Sequence, residues 1–593
     1  MEGTLEIAPF EFTFAVEAPQ NSIGNVIVNT GTIDGEPDIG IIYGWRSVDL
    51  EIDNYGTISS SSFMTENVIN LDSASGSVIN NFGTISFDGD QTITIQYADG
   101  FTLNNAGILS AADGVALFAY SATNATIVNS GTISGTSSGA LHLHSTYNAA
   151  VINSGTITET GYGAVDGTYS DRLAVTNTGL LISSTDTVIL NSNATLSNNG
   201  TIHATSAGAN AVHVKGSNTA VTIGKGSTII GVLAADGGTE NVSLTFDHGP
   251  AASYAYTTSG TWLLNDTSNK PVVLGSAISA GMGAQEIADK LLFQRTTRLN
   301  DSLATRLTTL DNKNAFWVTP YASHLSRNDD GDTVEAAPFK AHDLGVSFGK
   351  TLRKPFTVMK NKVIELDALL NISSNHLNVD EGSQTVRSNG ILAGVLAPEV
   401  THWRGGTISA KVMLGYNIYR GHRDVLNNLD TEIDVTAKYH SFLALAGVEG
   451  RWNKALRGHL SGRLTAGLDV VSEHYAGYSE SAYFSWDART LSQAAAHMDA
   501  AIVHHVPGSR ASIWGSFGLM ESAVFGGRTS TYQINQTNVS FSGGNYDDSY
   551  GRVQTGASYQ MSKVAKIAAT VDWTRSVHHI RKFQGYVGIV VQE

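Results

Sequence analysis

Cysteine is absent from the 593 residues, which excludes a disulfide framework and any thiolate metal site. Proline is scarce, 10 residues against 61 glycines, a balance that favours β turns over disordered linker. Basic residues are scarce in one half only. Residues 1–283 carry 5 Lys and Arg against 24 Asp and Glu, and residues 284–593 carry 31 against 29, together the net charge of −17. Phosphate neutralisation needs clustered Lys and Arg, so the acidic half argues against nucleic acid as a partner; solubility is what such acidity ordinarily supplies. No run of eighteen apolar residues occurs, which excludes a transmembrane helix. The first residues, MEGTLEIAPFEFTF, lack the basic start and short apolar core of a signal peptide, so an exported protein with this start is expected to begin further upstream.

What the first half has instead is one repeated motif. It reads VIVNTGTI (26–33), EIDNYGTI (51–58), VINNFGTI (78–85), TLNNAGIL (102–109), TIVNSGTI (126–133), VINSGTI (151–157), AVTNTGLL (174–181) and TLSNNGTI (195–202), with a degenerate ninth copy, VTIGKGSTI (221–229). Its glycines fall at 31, 56, 83, 107, 131, 155, 179, 200 and 226, in steps of 21 to 27 residues of which four are 24. A second apolar stretch lies between copies, such as NVINL near 67, GVALFAY near 114 and NAVHVK near 210. Each unit therefore offers two or more short strands separated by Asn/Gly corners. One unit cannot bury its own apolar face, but stacked units can, and nine coils rising ~4.8 Å each make a rod of roughly 40 Å. The Asn before each Gly is expected to stack into a side-chain ladder, with the Gly taking a corner at positive φ. The fold expected for residues 1–283 is a right-handed parallel β-helix: nine coils over about 24–229, then capping coils over 230–283 that include Trp262, Leu263 and Leu264.

Residues 284–310, AQEIADKLLFQRTTRLNDSLATRLTTL, contain neither Gly nor Pro. Apolar residues at Ile287, Leu291, Leu299, Leu303, Leu307 and Leu310 follow a helical period and define one apolar stripe. Beyond this helix, residues 311–593 alternate apolar and polar positions in twelve segments, from AFWVTPYASHL (315–325) to FQGYVGIVV (583–591). Segment length and the even count fit a twelve-stranded antiparallel transmembrane β-barrel. Long connections are expected around 326–340, 378–386, 421–434, 475–489, 525–547 and 578–582, with tight turns such as WNKALRG (452–458) between them. Trp317, Tyr321, Trp403, Trp452, Trp486, Trp514, Trp573 and Tyr586 lie near strand ends and are expected to form interfacial girdles.

A repeat rod, one helix and a C-terminal twelve-strand barrel, in that order, resemble a type V autotransporter of a Gram-negative bacterium over essentially the whole chain. The residues that carry the resemblance are the VxNxGTI repeats, the helix 284–310 and the barrel opening FWVTPYAS (316–323). It implies a barrel in the outer membrane, a surface-exposed passenger (1–283), and a helix threading the pore with Arg295, Arg298 and Arg306 facing polar lumen walls. It also implies outer-membrane lipid, periplasmic chaperones, the barrel-assembly machinery, and a host or neighbouring-cell surface ligand as partners. No cofactor is implied. Such barrels usually end on an aromatic residue, whereas this chain ends Val590, Val591, Gln592, Glu593. The passenger reads as an adhesin or self-association module; a surface polysaccharide-acting enzyme, or a pore with a structural cap, are the alternatives.

Some autotransporters release the passenger through an Asn in the helix whose side chain attacks its own backbone, and Asn300, before Asp301, is the only Asn there. His142 and His144 alternate on one strand face and await a third ligand to make a metal site, with His213 several coils away. The pairs His504–His505 and His578–His579 point to opposite faces of their strands, which argues against a shared site. Asp166, Asp171 and Asp186 lie between repeats without a register that would pair them for acid–base work. HExxH, GxSxG and a phosphate-binding Gly loop followed by Lys-Ser/Thr are all absent, so no metal or enzymatic site is expected.

Overall fold

The computed structural model describes residues 4–592 apart from 8–13, 36–39, 62–65, 138, 274–276, 309–314, 329–336, 353–355, 359–361, 381–382 and 543–546. Two compact units result. The first comprises Met1–His248, Tyr254–Ile278 and Leu426–Glu432; the second comprises Gly249–Ser253, Ser279–Val425 and Ile433–Glu593.

The first unit is a parallel β-solenoid whose coils each give three strands, one to each of three parallel sheets, except the last coil, which gives two, so that the sheets hold 10, 11 and 11 strands. The third strand is the intervening apolar stretch, as in Asn67–Asp72 and Val115–Tyr120. Registers are one coil deep and without slips over the motif strands. The motif isoleucine forms a single column, Ile58, Ile85, Leu109, Ile133, Ile157, Leu181, Ile202 and Ile229. Each is buried, and burying one such side chain is worth about 1.5–3 kcal/mol. The last coil places Leu263–Asp266 on Ser243–Asp247, with Trp262 buried beside it and its Nε1 donating to Ser259 O at 3.0 Å.

The Asn ladder is present. Asn29, Asn54, Asn81, Asn105, Asn129, Asn153, Asn177 and Asn198 are buried in one column, and each Nδ2 donates to the Oδ1 of the next at 2.7–2.8 Å. The motif glycines do a different job from the one expected. None of those from Gly31 to Gly200 has a positive φ. They are required because coils touch there: a Cβ on Gly56 would lie 1.9 Å from Gly31 O, and one on Gly131 2.2 Å from Gly107 O. The left-handed corner lies elsewhere, before the Asn-bearing strand. Asp49, Asn124, Asn148, Arg172, Asn193, Asn218 and Asn241 stand there at φ of 53–60°, a conformation Asn tolerates well.

The second unit is a closed antiparallel barrel of twelve strands: Ala315–Arg327, Phe339–Thr351, Asp367–Val379, Gln384–Trp403, Gly406–Asn427, Ile433–Ala455, Leu460–Tyr475, Arg489–His505, Ala511–Gly526, Asp548–Gln560, Ala565–Ser576 and Arg581–Gln592. The first and last pair to close it. Alternation sets the two faces. Asn371, Asn417, Glu473, Gln493, Asp572 and Gln584 are buried inside, while Leu414, Phe517 and Phe583 are exposed outside.

Three expectations need correction here. The stretch 421–434 is mostly strand, since polar alternation continues to Asn427 and resumes at Ile433. Two expected loops instead build a four-stranded sheet, Tyr478–Ser479, Phe484–Trp486, Thr529–Ile534 and Thr537–Ser542. Of the eight supposed girdle aromatics, Trp317, Tyr321, Trp514 and Tyr586 fall on inward positions and Trp486 belongs to the small sheet; Trp403, Trp452 and Trp573 remain outside. A position near a strand end does not fix which way a period-2 side chain points.

Candidate functional site

The helix runs Gly283–Leu307 inside the barrel; Thr308 is a turn, and residues 309–310 of the expected helix lie outside those described. Its apolar stripe is only part of its buried surface. Asp289, Gln294, Arg298, Asp301, Ser302 and Arg306 are buried as fully as Ile287, Phe293 and Leu303, because a barrel wall faces every side. Buried charges persist only when paired.

Arg295, Arg298, Asp301 and Arg306 each meet an opposite charge on the wall, whereas Asp289 pairs with Lys290 of the helix itself, which also reaches Asp548 at 3.5 Å. Arg295 Nη1 lies 3.0 and 3.1 Å from the carboxylate oxygens of Glu473, which also accepts from Asn417 Nδ2 at 2.9 Å and Tyr419 OH at 2.6 Å. Arg298 reaches Asp343 at 3.1 Å and Ser323 Oγ at 2.9 Å. Arg306 Nε donates to Asp367 Oδ2 at 2.7 Å. Asp301 pairs with Arg552, which lies 3.2 Å from Asp572, and Lys582 holds Asp572 at 3.1 Å. Asn300 Nδ2 donates to Asp469 Oδ2 at 2.7 Å, and Asp469 also binds Lys411. Asn300 and Asp301 border a lumen cavity of about 330 Å³ that Glu449, Arg451, His497 and Asp499 also line. Sequence reading found the helix cations but none of these wall partners.

In the solenoid, His142 and His144 do share a face, with ring centroids 5.8 Å apart. His142 Nε2 lies 3.4 Å from buried Asp166, while Asp171 accepts from Asn193 at 2.6 Å in a corner column. His213 stands apart from them and takes two partners: Nδ1 is 2.6 Å from Asp186 Oδ2 and Nε2 2.7 Å from Asp236 Oδ1. The three residues sit on successive coils. The hydrogen bond to Asp186 raises the His213 pKa above the ordinary imidazole value against the opposing effect of burial, and the contact with Asp236 adds to it. Burial disfavours the Asp186 carboxylate, but hydrogen bonds from His213 and Asn210 outweigh that and lower its pKa. Both ring nitrogens donate to carboxylates only when the imidazole is protonated. Spacings of 27 and 23 residues, one coil each, are the signal in the sequence that places the three together.

In the barrel, His505 lies 3.0 Å from Ser512 Oγ and His578 Nδ1 3.0 Å from Asp548. Among the described residues one group, His422, Asp424 and Asp434, brings an imidazole nitrogen and two carboxylates within 4.8 Å, on an exposed patch where His422 already pairs with Asp434 at 2.6 Å.

Residues 2–244 match the family model described as the BigA third pectate lyase-like domain. No curated protein matches the chain. Among solved structures, the translocator domain of autotransporter NalP from Neisseria meningitidis is similar over 53% of this chain and 100% of its own, at 11% identity and a TM-score of 0.40. The beta domain of the Bordetella autotransporter BrkA is similar over 48% of this chain and 100% of its own, at 10% identity and a TM-score of 0.36. For the transport unit of the autotransporter AIDA-I from Escherichia coli the figures are 50%, 98%, 14% and 0.35.

Proposed function

We propose that this chain, a type V autotransporter in which a β-solenoid passenger precedes a lumen helix and a twelve-strand barrel, displays its passenger as an adhesive module. The barrel belongs to the outer membrane and the passenger to the cell surface. The observation that carries the adhesive reading is the in-register repetition of outward side chains. Thr57, Thr84, Thr132, Thr156, Thr201 and Thr228 stand in one outward column, interrupted by Ile108 and Leu180. Such a face offers the same polar contacts again and again along its length, which suits a multivalent ligand on a host or neighbouring cell. Lipid around the apolar outer wall, periplasmic chaperones and the barrel-assembly machinery complete the proposed set of partners. The helix, held by ion pairs at four levels, favours an anchored passenger.

Release by self-cleavage at Asn300 is a second reading, favoured by its place beside the lumen cavity. One experiment addresses both. The chain is expressed behind a working signal peptide, intact cells are shaved with protease, and membranes and medium are blotted for residues 1–283. An anchored adhesin gives a full-length, shaveable band and cells that stick to surfaces. Free passenger that disappears in the Asn300→Ala variant supports release. A displayed passenger that confers no adhesion refutes the adhesive role.

A further inference from the structure

One lateral face of the solenoid carries a feature that neither the repeat nor the core requires. Tyr97, Tyr120, His144 and Tyr169 come from four successive coils and form a row one ring wide. Their ring centroids are 5.5, 5.4 and 4.8 Å apart. Tyr97 and Tyr169, at the two ends, are 57% and 62% exposed. Interplanar angles of 90°, 17° and 58° show that the rings do not close into one stack covering every face. Beside this row runs a shorter one, Phe118 and His142 at 5.2 Å, continued in register by Asp166 on the next coil. Gln96 flanks Tyr120 in register on the preceding coil.

Exposed aromatic rows on a soluble scaffold mark binding sites. Their width decides what binds. A protein partner needs ~800 Å² of surface on each side, far wider than a single row of rings. A linear glycan needs a strip one sugar wide, apolar for the ring faces and flanked by hydrogen-bonding groups for the hydroxyls. The step between rings is comparable to the length of one sugar unit in an extended chain. Charge selects among glycans. The passenger half carries 24 acids against 5 bases, so uronate and sulfate chains are repelled. We infer that this aromatic row is the passenger's ligand site and that it takes an uncharged linear glycan laid along the solenoid axis, covering about one sugar per coil. The inference rests on the adhesive reading and names its ligand class.

The test uses the full chain in detergent, with cellohexaose, chitohexaose and maltohexaose as neutral probes and hexagalacturonate as the anionic one. At least one neutral probe is expected to bind, the double variant Tyr97→Ala/Tyr169→Ala to weaken it about tenfold, and hexagalacturonate not to bind. These side chains are exposed, so the variants should keep the wild-type protease resistance; Tyr55→Ala, on a different face, controls for surface change. No binding of any neutral probe at millimolar concentration, binding that ignores the ring variants, or preference for the uronate chain overturns the inference. Cells displaying the double variant separate the two claims. If they still adhere as wild type does, the glycan site is wrong and the adhesive reading stands; if wild-type cells do not adhere, the adhesive reading itself fails.

Discussion

Asn129 sits mid-ladder, and its replacement by Ala tests whether the ladder or the apolar column holds the coils together. Its Nδ2 donates to Asn153 Oδ1 at 2.8 Å and to Thr156 O at 3.1 Å, and its Oδ1 accepts from Asn105 Nδ2 at 2.8 Å. Three bonds at about 1 kcal/mol each, plus about 1–2 kcal/mol for leaving the buried Asn153 Oδ1 without a donor, give about 4–5 kcal/mol. Asn198 is the built-in control. It ends the ladder, because the next coil has Ile223 in that register, and its Nδ2 donates only to Gly200 O at 3.0 Å. Asn198→Ala loses that bond and the one from Asn177, about 2 kcal/mol, and orphans no ladder acceptor. Pulse proteolysis of the full chain across a guanidinium series, blotted for the passenger, measures both. Asn129→Asp adds a check on sign. A buried carboxylate facing another acceptor has a raised folded pKa, so its stability is present at low pH and lost as pH rises through that value; this variant should be weaker at pH 7 than at pH 4. Equal losses for Asn129→Ala and Asn198→Ala, within about 0.5 kcal/mol, would refute the ladder as a source of stability.

Gly131→Ala forces a Cβ to within 2.2 Å of Gly107 O and should cost about 3 kcal/mol or more, read as lost protease resistance, whereas Gly226→Ala meets no atom within 4 Å and bears only the milder strain of its φ of +83°. The protonated His213 clamp contributes stability that is full below the ordinary imidazole pKa, about 6.5, and lost as pH rises through the raised folded value. His213→Gln should therefore lower the passenger's melting temperature more at pH 6 than at pH 9, and equal shifts at both pH values would count against the clamp. Arg552→Met leaves Asp301 and Asp572 buried beside Lys582 alone, a loss of about 3–5 kcal/mol that should appear as a lower temperature for the barrel's gel-mobility shift.

The coarse organisation was legible because it is periodic. A 24-residue repeat, a helical stripe and twelve alternating segments are each patterns that one chain displays along its own length. The ladder was legible for the same reason, since Asn recurs at one position of every motif. The glycines were misread because the motif shows that Gly is needed without showing why. Positive φ is a local cause, whereas a Cβ meeting the carbonyl of the preceding coil exists only once coils are stacked. The girdle failed on a parity error, since one residue of slip turns Trp317 from the outer face to the lumen. Partners remote in sequence were beyond reach. Arg295 and Glu473 are 178 residues apart, and nothing in either segment points to the other.

The lumen pairs have a consequence that their energies alone do not suggest. A buried ion pair often contributes little net stability, because desolvation offsets the attraction, while breaking one partner is costly. Four such pairs on one helix therefore act less as glue than as a register. Advancing the helix by a single residue turns it ~100° and shifts it ~1.5 Å. That one step would carry Arg295 away from Glu473, Arg298 from Asp343, Asp301 from Arg552 and Arg306 from Asp367 together. An apolar helix in an apolar lumen would tolerate the slip, since hydrophobic contact is non-directional. The wall is instead polar at those heights, so one depth and one rotation leave these four charges matched, and a helix that halts anywhere else strands several buried charges at once.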